Sequence, residues 1–355
     1  MNLAVPGADT VVWAEPARKL AFERWLATLA ERRLDPASLR PASADASFRR
    51  YLRIDGAEGS HIVMDAPPPQ EDVRPFIQVA RVIEQAGLNA PRVLAHDVEH
   101  GFLLLTDLGS RLYLAALNDA RATDQTAQAD TLMRQAFGAL LRWQRQVDPT
   151  HLPAYDDALL RRELALFPDW CVSREYGIVW TAAQQGQWHV VCDLLVASAL
   201  AQPRVAVHRD YMPRNLMLSD PNPGILDFQD AVLGPVTYDV ASMLRDAFIS
   251  WDEAQELDWA VRYWQQAHQA GLPLDADFAE FWRQLEWMGL QRHLKVLGIF
   301  CRLKHRDGKA AYSQDLPRFF RYARRVAGRY NALGALLPLL DEVEGLQAGV
   351  GHFPA

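Results

Sequence analysis

The chain has 355 residues, half of them hydrophobic, and a formal net charge of −7; that is long for one core, so two lobes are expected, residues 1–106 and 107–355. So acidic a balance offers no basic face to a phosphate backbone and excludes nucleic acid as a main partner. The three cysteines, Cys171, Cys192 and Cys301, lack the spacing of a zinc site or disulfide framework and read as buried thiols. With no export signal in 1–16 and no membrane-length apolar run, they point to a cytoplasmic protein without a membrane partner, and a monomer is the working expectation.

Taken in order, Lys19 to Glu31 places Phe22, Trp25, Leu26 and Leu29 on one stripe, the signature of an amphipathic helix. From Leu39 to Asp65 the pattern turns to strands, with Arg50–Ile54 and His61–Met64 separated by Asp55-Gly56. Phe76, Val79, Val82, Ile83 and Ala86 mark a second helix, and Pro91–Leu94 with Phe102–Thr106 complete an antiparallel sheet. Beyond it the chain reads as helical: 132–147, 159–167, 238–249, 257–270, 278–302 and 316–333 all repeat apolar residues at helical spacing. The fold class is therefore α+β, with a small antiparallel β lobe before a larger, mainly α lobe.

Between helices lies VAVHRDYMPRNLMLSDPNPGILDFQD, from Val205 to Asp230. Four residues separate Asp210 from Asn215, and a second apolar pair ends at Asp227-Phe228. Phosphoryl transfer needs this set: a carboxylate to take the proton of an attacking hydroxyl, and an amide oxygen with a second carboxylate to hold magnesium on nucleotide phosphates. Asp210 is the expected base, and Asn215 and Asp227 the expected magnesium ligands for ATP. His208 is expected to brace the loop by packing, Arg209 to support it electrostatically, and Asp239, at a helix start, to brace it from below; Asp230 is a candidate substrate contact. With this motif in place, the link 43–49, with its small residues and hydroxyls including Ser47, sits where phosphates would be covered, although a polar hairpin fits it equally. Glu84 is the candidate for a helix glutamate that pairs with a lysine. Thr106 to Gly109 reads as the hinge between lobes, where Leu105, Thr106 and Leu108 would meet adenine.

HRDYMPRN with ILDFQD resembles the aminoglycoside phosphotransferase and choline kinase family, whose members share the bilobal protein-kinase-like fold. SFRRYLRI, VMDAPP, LLLTDLG, GPVTYDVASMLRDAF and QRHLKVLGIFCRLKHRDGK look like its amino-sugar branch, the anomeric N-acetylmuramate/N-acetylglucosamine kinases of cell-wall recycling. The resemblance implies a small-molecule amino sugar as substrate. It also exposes a departure: family members carry a phosphate-contacting lysine on the third strand, whereas here that strand ends Val63-Met64-Asp65, and no lysine lies between Lys19 and Lys295. Either Arg49 or Arg50 supplies the charge, or magnesium and backbone donors suffice. An antibiotic-modifying phosphotransferase and a nucleotide-binding pseudokinase are the competing readings. N-acetylmuramate carries a carboxylate and wants a cation, for which Arg306 and Lys309 are candidates.

Overall fold

A computed structural model describes residues 11–13, 15–44 and 48–345; Ser47 lies outside them. The chain forms two compact units, residues 1–116 with 215–230, and residues 117–214 with 231–355. The segment 215–230 therefore folds with the first unit, where a division after Thr106 would assign it to the second. Backbone pairing explains this: Leu218 N–H donates to Arg111 O (2.8 Å) and Ile225 N–H to Asn89 O (2.8 Å).

In the first unit α1 (Pro16–Ala27) precedes β1 (Asp35–Ala44), β2 (Arg50–Gly56) and β3 (Gly59–Asp65), then come α2 (Arg74–Gln85), β4 (Val93–Asp97) and β5 (Phe102–Thr106). The strands form one antiparallel sheet in the order β1-β2-β3-β5-β4. Alternation along the strands sends Leu52, Ile54, Val63, Phe102 and Leu104 to one face, where Phe22, Trp25 and Leu26 of α1 cover them. α2 begins at a proline in its first turn and buries Phe76, Ile77, Val79, Ala80 and Ile83.

The helix α3 (Tyr113–Ala122) leads into the second unit, which holds α4 (Thr126–Gln146), α5 (Asp157–Leu166), α6 (Ala182–Leu200) and β6 (Arg204–Val207). After β7 (Leu216–Met217) and β8 (Gly224–Ile225) of the first unit come β9 (Val232–Pro235), α7 (Tyr238–Leu244), α8 (Glu253–Gln269), α9 (Phe278–Asp307), α10 (Leu316–Arg329) and α11 (Leu336–Val343). Two elements depart from the helical spacing of the sequence. The helix expected to end near Phe167 continues as a π-helix, Phe167–Glu175, in which Pro168 lacks the N–H of a regular turn. α7 stops at Leu244 rather than 249, because the Asp246 carboxylate takes the N–H groups of Phe248 (2.9 Å) and Ile249 (3.2 Å).

The long helix α9 organises this unit, packing against α5, the π-helix, α7 and α10. A Cβ at Gly298 would lie 2.3 Å from the backbone of Leu166, so only glycine lets α9 approach α5 so closely. At its other end Arg245, fully buried, pairs with Glu256 (3.0 Å) and Glu286 (2.8 Å). Arg325 and Arg329 of α10 close the network on the same two carboxylates at 2.8 and 2.7 Å.

Candidate active site

In the second unit, antiparallel pairing of β6 with β9 (Val207 opposite Val232) delivers the chain to His208. The His208 ring is fully buried between Trp143 (5.5 Å) and Tyr211 (5.7 Å) and accepts the Asp210 N–H at Nδ1 (3.3 Å). Tyr211 ties the loop to α4 by donating to Ala136 O (2.7 Å). The Asp239 carboxylate, fully buried in the first turn of α7, accepts the backbone N–H groups of His208 (2.7 Å) and Arg209 (3.0 Å). Two successive amides held this way keep Arg209 in the left-handed region (φ 74°), a conformation a non-glycine residue adopts at an energetic cost. Burial pushes the Asp239 pKa up to about 7, against the pull of the two amides.

Side chains fix the same loop. Arg209 and Lys295 meet on one carboxylate, Glu163 of α5, at 2.5 and 2.9 Å; Tyr155 also donates to it, and Lys295 donates to the Tyr238 hydroxyl (3.1 Å). Burial works against the charge on Glu163, but Lys295 and Arg209 outweigh it and bring its pKa down to about 2. The arrangement fixes the backbone on both sides of Asp210 and leaves that carboxylate half-buried in the loop.

The first unit holds the other part of the motif. β7 and β8 pair Leu216 with Ile225, and Leu226 N–H donates to Asn215 O (2.9 Å), which brings Asn215 beside Asp227. A side chain at Gly224 would come within 2.8 Å of Leu108, so the hairpin needs glycine there. The Asn215 amide donates to Asp227 Oδ2 (3.3 Å) and Gln229 to Oδ1 (2.9 Å), while Asp227 itself has φ 59°. Phe228 packs on Phe76 of α2 at 4.6 Å. Arg49 stands 3.6 Å from Asp227 and 3.9 Å from Glu71, whose other oxygen accepts the Phe48 N–H (3.1 Å).

Among the described residues no group of three or more His, Cys, Asp or Glu is arranged to hold a metal by itself. Asn215 turns its amide nitrogen to the Asp227 carboxylate; with that amide reversed, its oxygen and Asp227 would offer two hard oxygens to one ion, which would fit magnesium, an ion that takes one or two protein ligands and completes its shell with water and phosphate. The guanidinium of Arg49 adds the positive charge that a phosphate site needs.

The other sequence candidates are distributed as follows. Arg50 is committed elsewhere: it shares the buried Asp65 with Arg18 and lies over Trp13 at 4.6 Å. Glu84 points outward from α2 and is exposed, because the apolar face of that helix takes the inner positions; Glu71, just before the helix, is the carboxylate that meets an arginine. Leu105, at 1% exposure in the middle of the sheet, offers no surface to a ligand. Thr106 spends its N–H on Arg92 O (3.0 Å) and its hydroxyl on Arg92 N–H (2.9 Å), and Leu108 lies against the β7–β8 hairpin. Asp107 locks the following turn onto Arg53 (2.5 Å), Ser60 (2.8 Å) and Gly109 N–H (2.9 Å). Asp230 is exposed; Arg306 is exposed and paired with Asp307 (2.7 Å), and Lys309 follows Gly308, the left-handed C-cap of α9. Glu71, Glu163 and Lys295 went unread in the sequence, since only tertiary packing gives them partners.

The profile of the phosphotransferase enzyme family, APH, matches residues 38–284. The chain is 54% identical over 312 residues, 88% of its length and 89% of the relative's, to a Pseudomonas putida protein named N-acetylmuramate/N-acetylglucosamine kinase. It is 54% identical over 88% of its length and 91% of the relative's to the Pseudomonas aeruginosa protein of the same name. Its structure is similar to that of the ADP-bound aminoglycoside phosphotransferase APH(2'')-Ib, at a TM-score of 0.55 and 13% identity, covering 86% of this chain and 98% of that one. This last likeness gives the fold, the protein-kinase-like combination of an N-terminal antiparallel sheet with a mainly helical remainder. On the profile match and the identity to curated relatives, the chain belongs to the phosphotransferase enzyme family.

Proposed function

We propose that the chain is an ATP- and magnesium-dependent kinase that phosphorylates the anomeric hydroxyl of N-acetylmuramate and N-acetylglucosamine recovered from the cell wall. The observation that carries the reading is high identity, over nearly the whole chain, to proteins bearing that name, with Asp210, Asn215 and Asp227 all in place. Asp210 accepts the proton of the attacking hydroxyl. The anomeric hydroxyl is the most acidic on the ring, so a carboxylate base assists it with the least driving force. Asn215 and Asp227 hold magnesium, which when bound neutralises charge developing between the β- and γ-phosphates. Arg49 does the work of the absent third-strand lysine, held for it by Glu71.

The test is a panel of acceptors with ATP and magnesium. N-acetylmuramate and N-acetylglucosamine should each give a 1-phosphate whose phosphorus NMR signal couples to the anomeric proton, and their methyl glycosides should give nothing. A 6-phosphate, turnover of a methyl glycoside, or selective turnover of polycationic aminoglycosides would overturn the reading.

A further inference from the structure

Between Asp210 and Asn215 the chain ends in a 3-10 turn, Pro213–Asn215, that carries Arg214. Its half-buried guanidinium lies 5.0 Å from the Phe248 ring centre and 6.0 Å from that of Tyr312, and donates to the Tyr312 hydroxyl (3.4 Å). Arg209, Arg245 and Arg306 each pair with an Asp or Glu, yet among the described residues no carboxylate lies within ion-pair distance of Arg214.

The rings that hold it are fixed in turn. Asp246, fully buried, takes the N–H groups of Phe248 and Ile249. Arg292 of α9 acts on Asp246 electrostatically and reaches the Met212 sulfur (3.7 Å). Tyr312 packs on Phe300 at 5.1 Å. A guanidinium clamped between aromatic faces has surrendered its rotamer freedom in advance, so an anion that meets it gains paired, charge-assisted hydrogen bonds with little ordering left to do. Arg214 stands four positions beyond Asp210 in the same loop and is half-buried, which leaves part of its guanidinium open to a ligand.

We infer that Arg214 is the specificity-determining residue that receives the lactyl carboxylate of N-acetylmuramate, the anionic substituent that N-acetylglucosamine lacks. This rests on the amino-sugar kinase reading above. It displaces Arg306, whose charge is met by its neighbour Asp307.

The experiment measures kcat/KM of the full chain and of Arg214→Gln and Arg214→Lys with N-acetylmuramate, N-acetylglucosamine and N-acetylmuramate amidated at the lactyl carboxyl. Losing a charge-assisted pair should lower the N-acetylmuramate to N-acetylglucosamine ratio by about 10- to 100-fold in Arg214→Gln, mainly through KM. Arg214→Lys keeps the charge without the planar fork and should fall in between, and it gives the readout should the glutamine variant fail to fold. For the amidated sugar the variants and the wild type should differ far less. A parallel loss on both sugars, which would place Arg214 on the nucleotide or the loop, overturns the inference, as does an unchanged ratio. Wild-type protein that phosphorylates neither sugar overturns the underlying reading, and this one with it, before any variant is compared.

Discussion

Arg49 and Arg50 are adjacent in sequence and divided in function by what each meets. Arg50 enters β2 opposite Asp65 and joins Arg18 on that buried carboxylate, so its guanidinium holds the sheet to the Val12–Trp13 segment. Arg49, one residue before the strand begins, meets Asp227 and Glu71. Arg49→Ala should therefore raise the KM for ATP about 10- to 100-fold, the worth of charge-assisted hydrogen bonds to phosphate, while changing the melting temperature little. Arg50→Ala should do the reverse: it leaves the buried Asp65 with one partner in place of two and should destabilise by roughly 1–3 kcal/mol with the KM for ATP near normal. Steady-state kinetics and calorimetry on the two variants decide the matter, and interchanged phenotypes would sink the assignment. Asp210→Asn should lower kcat by about 10²–10⁴-fold while nucleotide affinity holds, as removal of a general base does; near-normal turnover in a folded variant would exclude that role.

At the scale of elements, α9 links the packing of the second unit to the His208–Asp210 loop. Gly298 lets it lie on the end of α5, and that approach brings Lys295 to Glu163 and so to Arg209. Gly298→Ala drives a methyl group into the Leu166 backbone; forcing the helices apart should cost about 2 kcal/mol or more, lower the melting temperature by several degrees, and reduce kcat in proportion as the Glu163 contacts loosen. Unchanged melting would show that α9 does not need that contact. The loop itself was legible in the sequence because its chemistry is local: His208, Asp210, Asn215 and Asp227 keep a short, ordered spacing between apolar strands. Its supports were legible in part: Asp239 and His208 stand close to the motif, whereas Glu163 and Lys295 lie far from it in the chain and look like ordinary helix charges until packing buries them. Glu84 shows the same limit from the other side. Periodicity located α2 correctly, but which carboxylate meets the arginine depends on how the chain enters the helix, and that favoured Glu71.

For the molecule as a whole, buried carboxylates of two kinds set how stability depends on pH. Glu163 and Glu286 are buried against their charge, yet Lys295 and Arg209 in one case and Arg245 with Tyr330 in the other hold both below the ordinary glutamate value. Their contribution is present above pH 4.5 and, for Glu163, is lost as pH falls through about 2. Asp239 and Asp246 behave oppositely, because complete burial raises both, Asp239 from 3.8 to about 7. Between those two values the folded protein retains a proton that the unfolded chain has released, so this group's contribution is fully present at low pH and declines as pH rises through about 7. For Asp239 the shift corresponds to roughly 4 kcal/mol at most. The two trends cross on the acid side of neutrality. The melting temperature should be highest near pH 4 and fall toward pH 7, and Asp239→Asn, which has no proton to lose, should flatten the fall while lowering kcat because its NH2 would stand against one of the two backbone N–H groups, of His208 and Arg209, that the two carboxylate oxygens accept. Calorimetry of both proteins from pH 3 to 8 tests this directly; a wild-type melting temperature that climbs steadily to pH 8, or an equally steep decline in Asp239→Asn, would show that Asp239 is ionised in the folded state throughout and braces the loop at no cost in stability.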